Sequence, residues 1–295
     1  MPLRFDHAAI AVRDLDEATR RYRALGFAVS PGGRHPGHGT HNAIIRFGLD
    51  YLELIAIADE AEARTGSLSG PALADFLREG GGIAGYALAT TTIEQDATRF
   101  APDASPVAAS GPYAMQRRRP DGNQLSWRLL VPGGVPWRRP WPFLIQWDTP
   151  DEQRLSWEQP GAHPNGVTGV AGIALVVADL AGAIDLYQRQ FGLPLAARDT
   201  VPSLAARRAT FQVGPVRIEL LAPEGAGPVA DALAHTGEGP YLLTLATSDL
   251  EQTRRALSQA GVALEPVQGD PATLVIPPDQ TGGARLALVA RHGVI

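Results

Sequence analysis

Four stretches of the chain share one pattern of apolar and polar positions. In each stretch a short apolar run reaches a polar residue that suits a helix start, and an amphipathic segment and further short apolar runs follow. The pattern predicts helices beginning at Asp14, Thr92, Asp179 and Asp249. A pattern that recurs along a chain marks a repeated structural unit, so the sequence predicts four units, each a strand, a helix and three strands.

The limits of the predicted elements follow from where each pattern stops. In the first unit, strands are predicted at 5–12, 41–47 and 51–57, the helix ends at Gly26, and the Gly- and His-rich stretch 31–39 is predicted to be a loop. Further strands are predicted at 83–90, 143–147, 170–177, 240–247, 262–267, 272–277 and 284–290, with helices at 92–100, 179–191 and 249–260 and a helical connector at 58–79.

The four units fall into two halves. The third unit repeats the first at an offset of 165 residues, counted from Asp14 to Asp179. A Pro-, Gly- and Trp-rich stretch at 132–166 lies between the halves and is typical of a boundary. We therefore predict an N-terminal domain at 1–150 and a C-terminal domain at 165–295.

Composition narrows the class of protein. A chain of 295 residues with 44% hydrophobic residues is long enough for two globular domains, and a net charge of -5 gives no signal for nucleic-acid binding. The absence of cysteine excludes disulfides and thiolate sites. No apolar run approaches a membrane span or a signal peptide. We expect a cytoplasmic protein with a small-molecule partner and no membrane or nucleic-acid partner, and we leave a homodimer open.

His7 and Glu53 are the two residues that suggest chemistry. Of the four predicted first strands, only one begins with a histidine, His7, and strand alternation places it on one face with Phe5. Ala8 and Ile10 form the more aliphatic face, which should pack under the helix and leave His7 facing a cup. Glu53 lies between two leucines, where an isolated carboxylate is costly unless it is paired or metal-bound.

A structural role remains open for both residues. A tight turn between the strands at 41–47 and 51–57 would bring Arg46 beside Glu53, which predicts an ion pair as the alternative to a site. His7 has the alternative of a buried structural histidine.

The repeat and three local motifs resemble the vicinal oxygen chelate superfamily. The motifs are Gly32-Gly-Arg-His-Pro-Gly-His-Gly-Thr-His-Asn42, Tyr51-Leu-Glu-Leu-Ile and Phe143-Leu-Ile-Gln-Trp147, which look like its glyoxalase-like domain branch. The resemblance implies an α+β fold in which four βαβββ units pair into two tandem glyoxalase-like domains with curved mixed sheets. It also implies a divalent metal (Zn, Ni, Mn or Fe) held by His or Gln on first strands and Glu on fourth strands.

The implied ligand set carries over only in part. His7 and Glu53 match the first-strand and fourth-strand ligands of the first unit, and Glu53 would serve as ligand or catalytic base. The second unit offers Gly85 and the stretch 126–128 at the matching positions, and the third offers Glu219 without a histidine. A protein without a metal is therefore an equal expectation.

Other residues complete the candidate set. A third metal ligand could come from His35, His38 or His41, of which we select His41. Ligand-binding candidates are Trp127, His38, Asn42, Gln146 and Arg119. Trp127 could equally fill the core, and the run 117–119 could be a solvated hairpin edge.

Two functions follow from these residues. The first is a metal-dependent lyase or isomerase of glyoxalase type, in which the metal and Glu53 act on a substrate with vicinal oxygens. An extradiol dioxygenase is less favoured, because two His and one Glu do not stand at the matching positions. The second is a metal-free binding protein of bleomycin-resistance type, which Trp127 favours. The C-terminal half, which lacks a His–Glu pair, would serve as a scaffold or an interface.

Overall fold

All four predicted units are present in the computed structural model, which describes residues 3–66, 70–267 and 270–290. The first unit comprises β1 (Arg4–Ala11), α1 (Leu15–Ala24), β2 (Ser30–His35), β3 (Thr40–Arg46) and β4 (Tyr51–Ile57). After α2 (Glu60–Thr65) and α3 (Gly70–Arg78), the second comprises β5 (Gly82–Ala89), α4 (Ile93–Arg99), β6 (Ala109–Arg118), β7 (Gln124–Pro132) and β8 (Phe143–Trp147).

The second half repeats this order after a short linking helix, α5 (Asp151–Trp157). The third unit comprises β9 (Val167–Val176), α6 (Leu180–Arg189), β10 (Leu195–Val201), β11 (Ala206–Val213) and β12 (Val216–Pro223). After α7 (Pro228–Thr236), the fourth comprises β13 (Gly239–Thr247), α8 (Leu250–Gln259), β14 (Glu265–Val267), β15 (Asp270–Ile276) and β16 (Leu286–Ala290).

The helix starts lie where the sequence predicts them. Asp14, Asp179 and Asp249 are N-cap residues whose carboxylates accept backbone N–H groups of the first helical turn. Thr92 is the N-cap of α4 but makes no side-chain capping bond. The repeat therefore rests on local capping chemistry that three of the four units share.

Each half pairs two units into one eight-stranded sheet, as predicted. The first sheet is a closed barrel in the order β1-β4-β3-β2-β6-β7-β8-β5, and the second is open in the order β10-β11-β12-β9-β13-β16-β15-β14. In both sheets the first strand of a unit runs parallel to its fourth strand and antiparallel to the first strand of the next unit. Closure gives the first half an interior.

Helices α1 and α4 pack on the outside of the barrel. Leu73 and Leu77 of α3 pack instead with Ala9, Ala11 and Ile55 on its inner side. Ala18 and Tyr22 of α1 are buried against Ala8 and Ile10, which point outward from β1. One continuous core extends from this layer into the second half. We find no helix in the described ranges that is both long and apolar enough to cross a membrane.

Two local predictions are corrected. Residues Ser30–His35 form β2 rather than a loop. The backbone at Gly33, with φ 149°, lies against the carbonyl oxygen of Arg118, and a Cβ atom on residue 33 would come within 2.1 Å of that oxygen. Glycine at position 33 therefore allows this strand to form. Phe5 does not share the face of His7, since a register shift between the two residues turns Phe5 outward into the core. The helix α5 was not predicted.

Candidate functional site

The barrel encloses a cavity of about 70 Å³ in the first half of the chain. Its polar lining consists of His7, His35, His38, Thr40, Asn42, Tyr51, Glu53 and Arg117. Its apolar lining includes Ile55, Leu73, Met115, Trp127, Leu129, Trp137, Phe143, Ile145 and Trp147. A mostly apolar pocket with a few convergent polar groups is typical of a small-molecule site.

His7 is held at the cavity by a buried carboxylate. The Nδ1 atom of His7 lies 2.8 Å from Oδ1 of Asp6, whose other oxygen accepts a hydrogen bond from Trp147 Nε1 at 3.0 Å. Burial raises the pKa of Asp6, but the hydrogen bond with His7 and the charge of Arg154 outweigh it and bring the pKa below its usual value. The ionised Asp6 fixes the proton on Nδ1, so Nε2 of His7 points at the cavity.

Glu53 faces His7 across the cavity end. Its Oε2 lies 3.6 Å from His7 Nε2, and its Oε1 accepts a hydrogen bond of 2.5 Å from Asn42 Nδ2. Alternation in β4 turns Leu52 and Leu54 outward to the core and Glu53 inward. The alternative pair with Arg46 does not form, because Arg46 lies opposite Tyr51 in the hairpin and binds Glu158.

His35 completes the polar cluster from β2. Its Nε2 lies 3.4 Å from Asn42 Nδ2 and its Nδ1 lies 2.9 Å from Thr40 Oγ1. Because an amide nitrogen can only donate, Nε2 accepts and Nδ1 carries the proton. Burial, reinforced by the Arg117 charge, lowers the pKa of His35 to about 3. His35 is therefore a neutral imidazole.

Aromatic rings form the facing wall. Trp127 and Trp147 stand with ring centroids 5.0 Å apart, and Phe143 meets the edge of His7 at 5.5 Å. Tyr51 stacks on His7 at 4.7 Å from the other side. The cavity therefore offers flat apolar surfaces on both sides of the polar cluster, which suits a planar ligand.

A buried charge network, which we call the floor network, seals one end of the barrel. It consists of Arg46, Arg117, Arg119 and Glu158. Glu158 Oε2 accepts from Arg46 at 2.5 Å, and Oε1 accepts from Arg117 and, at 2.8 Å, from Arg119. Burial raises the pKa of Glu158, but the three guanidinium groups hold it below its usual value.

The helix α5 joins this network to Asp6. Its Arg154 is fully buried, stacks on Trp147 at 3.6 Å and lies 3.8 Å from Asp6 Oδ2. Residues beyond 150 thus complete the first half and support the carboxylate that orients His7.

The structure brings only some of the predicted site residues to the cavity. His7, Glu53, Asn42, His38 and Trp127 all line it.

Three predicted residues lie elsewhere. Alternation in β3 turns His41 away from Thr40 and Asn42, toward an outer groove beside α1. Gln146 lies between two inward residues of β8 and accepts a hydrogen bond from the backbone of α4 at 2.9 Å. Arg119 is held in the floor network and also binds Asp121, so it does not reach the cavity.

Strand register also identifies which residues of the second unit occupy the positions of His7 and Glu53. Glu53 pairs with Ala9, two residues after His7, and the matching pair in the second unit is Ala87 with Phe143, two residues after Gly85. Trp127 was assigned to the second glutamate position, but it lies on β7, the third strand of its unit. Phe143 holds that position.

These residues do not fit the divalent metal that the resemblance implies. The second unit supplies Gly85 and Phe143 at the matching positions, and neither side chain can bind a metal. Across residues 3–66, 70–267 and 270–290, no group of three or more His, Asp or Glu side chains is arranged to hold a metal ion.

The sequence analysis did not identify several residues that support the candidate site. Asp6, Arg154 and Glu158 shape the site, yet they lie on a strand end and on a helix in the stretch 132–166 that was treated as a boundary. The signal available was His7 preceded by an aspartate at the head of an apolar strand.

Glu219, the counterpart of Glu53 in the open sheet, makes a structural ion pair. Its Oε1 accepts from Arg208 at 3.0 Å, and Arg208 also binds Asp199.

Two family models match the chain. One described as a glyoxalase-like domain matches residues 5–181, and one described as the glyoxalase/bleomycin resistance protein/dioxygenase superfamily matches residues 172–273. A search of curated proteins found no significant match.

Two of the similar solved structures share the architecture over nearly the whole chain. A hypothetical protein from Staphylococcus aureus is 14% identical and superposes over 98% of this chain and 100% of its own, with a TM-score of 0.69. A mutant of 4-hydroxymandelate synthase from Streptomyces coelicolor is 16% identical over 100% and 94%, with a TM-score of 0.63. Methylmalonyl-CoA epimerase from Mycobacterium tuberculosis is 28% identical over 45% of this chain and 94% of its own, with a TM-score of 0.41.

Proposed function

Because the chain belongs to the glyoxalase-like domain family, within the vicinal oxygen chelate superfamily, we propose that its barrel cavity binds a small molecule with two neighbouring oxygens and acts on it as a lyase or isomerase. The observation that carries the proposal is the pair of Glu53 Oε2 and His7 Nε2, 3.6 Å apart at the polar end of an aromatic cavity. Two such groups can move a proton between neighbouring atoms of a ligand.

The proposed reaction uses Glu53 and His7, which line the cavity, and the neighbouring groups that hold them. Glu53 Oε2 removes a proton from the carbon beside a carbonyl group, and the electron pair of the broken C–H bond moves onto the carbonyl oxygen. His7 Nε2 accepts the proton of the neighbouring hydroxyl group and passes it to the oxygen of the resulting enediolate. Glu53 returns its proton to the neighbouring carbon, so both side chains regain their starting state. Asp6 stabilises the charge on His7, and Asn42 holds Oε1 so that Oε2 stays free for the ligand.

The aromatic wall supports the same proposal. Trp127, Trp147 and Phe143 offer flat surfaces that would orient a planar ligand and exclude water from the reacting atoms. The first compound to test is therefore 2-hydroxyacetophenone, which carries a phenyl ring, a carbonyl group and a neighbouring hydroxyl group.

Glu53→Gln is expected to slow proton exchange by at least 100-fold, because glutamine cannot act as a base. The measurement is proton NMR of the methylene signal of 2-hydroxyacetophenone in D₂O with catalytic amounts of protein. Glu219→Gln is the matched control, since it changes the equivalent strand position of the open sheet and should leave the rate unchanged. A wild-type protein that binds the compound without accelerating exchange would count against the enzyme.

Binding without reaction is the second candidate function. The wall that faces the polar cluster carries Trp127 and Trp147, and Phe143 stands where the second unit would supply a metal ligand. Both features favour a protein that sequesters a planar compound. Retention of 2-hydroxyacetophenone, seen by quenching of tryptophan fluorescence with no exchange, would support this function for that compound.

His7→Gln and Glu53→Gln are expected to have non-additive effects on the affinity for 2-hydroxyacetophenone. The two side chains lie close enough to share one ligand group, so the coupling energy should be about 0.5–3 kcal/mol. Isothermal titration calorimetry of both single variants and the double variant gives this energy. Glu219→Gln combined with His7→Gln should be additive, and additivity of His7→Gln with Glu53→Gln would place the two residues in separate structural roles.

A further inference from the structure

We infer that the amide of Asn42 fills the place where a metal ion would join His35 to Glu53, so that the cavity is a metal-free site that substitution of Asn42 converts into a metal centre. Metal affinity of the cavity is measured in the absence of any organic ligand. Its outcome is therefore independent of the proposed reaction.

The spacing of the acceptor atoms is the first support. Glu53 Oε2 lies 3.6 Å from His7 Nε2, and Glu53 Oε1 lies 3.9 Å from His35 Nε2. Metal ions bind such atoms at about 2.0–2.2 Å, so two ligands of one metal stand roughly 3–4 Å apart. Each histidine thus stands at a ligand-like distance from one carboxylate oxygen of Glu53, although as folded the three side chains do not form a metal site.

The Asn42 amide explains why these side chains have ligand-like spacing and yet do not form a metal site. Its Nδ2 lies 2.5 Å from Glu53 Oε1 and 3.4 Å from His35 Nε2, in the space between them. An amide nitrogen carries two protons and no available lone pair, so it can donate to both acceptors but cannot bind a metal. One uncharged residue therefore satisfies the two atoms that a cation would otherwise bridge.

The orientation of this amide is fixed. Turning it over would bring Asn42 Oδ1 against the Glu53 carboxylate, and two acceptors would then repel each other. In the observed orientation Oδ1 is buried beside Gly32, where a Cβ would come within 2.0 Å of it, and it has no hydrogen-bond partner in the described part of the chain. The structure leaves that oxygen unpaired and keeps the nitrogen on Glu53.

The supporting hydrogen bonds for a metal are already present. Asp6 holds Nδ1 of His7, and Thr40 holds Nδ1 of His35, so both Nε2 atoms face Glu53. Hydrogen bonds of this kind orient histidine ligands in metalloproteins. An acceptor at position 42 would therefore complete an oriented set of ligands.

Asn42→Asp is expected to bind Zn²⁺ with one equivalent per chain and at least 100-fold more tightly than the wild type. Aspartate adds a fourth ligand atom and a negative charge beside Glu53, which a cation would neutralise. The measurement is calorimetric titration with ZnCl₂ on protein without an affinity tag, with elemental analysis of the dialysed product. Adding His7→Ala or Glu53→Ala to Asn42→Asp should abolish the gain and thereby locate the ion in the cavity.

Asn42→Ala and Asn42→Leu serve as companion variants. Alanine opens the space and should raise Zn²⁺ affinity about tenfold even if Asn42→Asp does not fold, whereas leucine fills the space and should bind no better than the wild type. Tight Zn²⁺ binding by the wild type that is lost in His7→Ala and Glu53→Ala would overturn the inference. So would folded Asn42→Asp and Asn42→Ala proteins with unchanged affinity.

Discussion

Glu158→Gln is expected to lower the free energy of unfolding by about 3–5 kcal/mol, because it leaves buried guanidinium groups without their carboxylate. Arg46 and Arg117 are 3% and 1% exposed, and Glu158 accepts a charge-assisted hydrogen bond from each. Their Nε atoms already have no partner among the described residues, so the network has no spare acceptor to replace Glu158.

Urea unfolding monitored by circular dichroism measures this loss. Glu251→Gln is the control, since Glu251 pairs with Arg254 on the exposed face of α8, where water screens the two charges and the pair contributes little to stability. A loss below about 1 kcal/mol for Glu158→Gln would mean that water reaches the floor network and replaces the carboxylate.

The floor network also shows why part of the site could not be predicted. Glu158 follows a helix in a stretch whose Pro, Gly and Trp content suggested a domain boundary, and its partner Arg46 lies 112 residues earlier. No spacing or periodicity in the sequence links two such residues. Their contact exists only because the barrel closes and α5 folds across its end.

Features that are local in the sequence were sufficient to predict the repeated units and the shared orientation of His7 and Glu53. Capping aspartates before amphipathic segments located the helices, and alternation within single strands turned His7 and Glu53 to one side. These features depend only on residues that are neighbours in the sequence, so they could be predicted before the fold was known.

The sequence did not predict how the strands pair, and so it did not predict which histidines point into the barrel. His41 was selected over His35 as the third metal ligand. The stretch 31–39 was predicted to be a loop, and in a loop strand alternation does not indicate which side chains point inward. Once Ser30–His35 forms β2, His35 points into the barrel and alternation in β3 turns His41 out. Trp127 was misplaced for a similar reason, since the third and fourth strands of the second unit could not be told apart.

His35 is expected to make the protein progressively less stable as the pH falls below about 6.5. Burial lowers the pKa of His35 to about 3 in the folded protein, whereas an unfolded histidine titrates near 6.5. Between these two pH values the unfolded chain binds a proton that the folded protein does not bind. The free energy of unfolding therefore decreases as the pH falls through this range. At about 1.4 kcal/mol per pH unit, the loss reaches about 2 kcal/mol at pH 5 and about 4–5 kcal/mol near pH 3.

His35→Gln separates this contribution from the others. Glutamine keeps a hydrogen-bonding side chain at position 35 but cannot titrate, so the variant starts from a lower stability at pH 7 and should lose about 2 kcal/mol less than the wild type on going to pH 5. Urea unfolding at the two pH values measures the difference, and His235→Gln on the exposed side of α7 is the control. The carboxylates contribute little in this interval, because unfolded Asp and Glu titrate near 4. An unchanged pH dependence in His35→Gln would mean that the folded protein accepts a proton on His35, and the donor role of Asn42 toward its Nε2 would then be wrong as well.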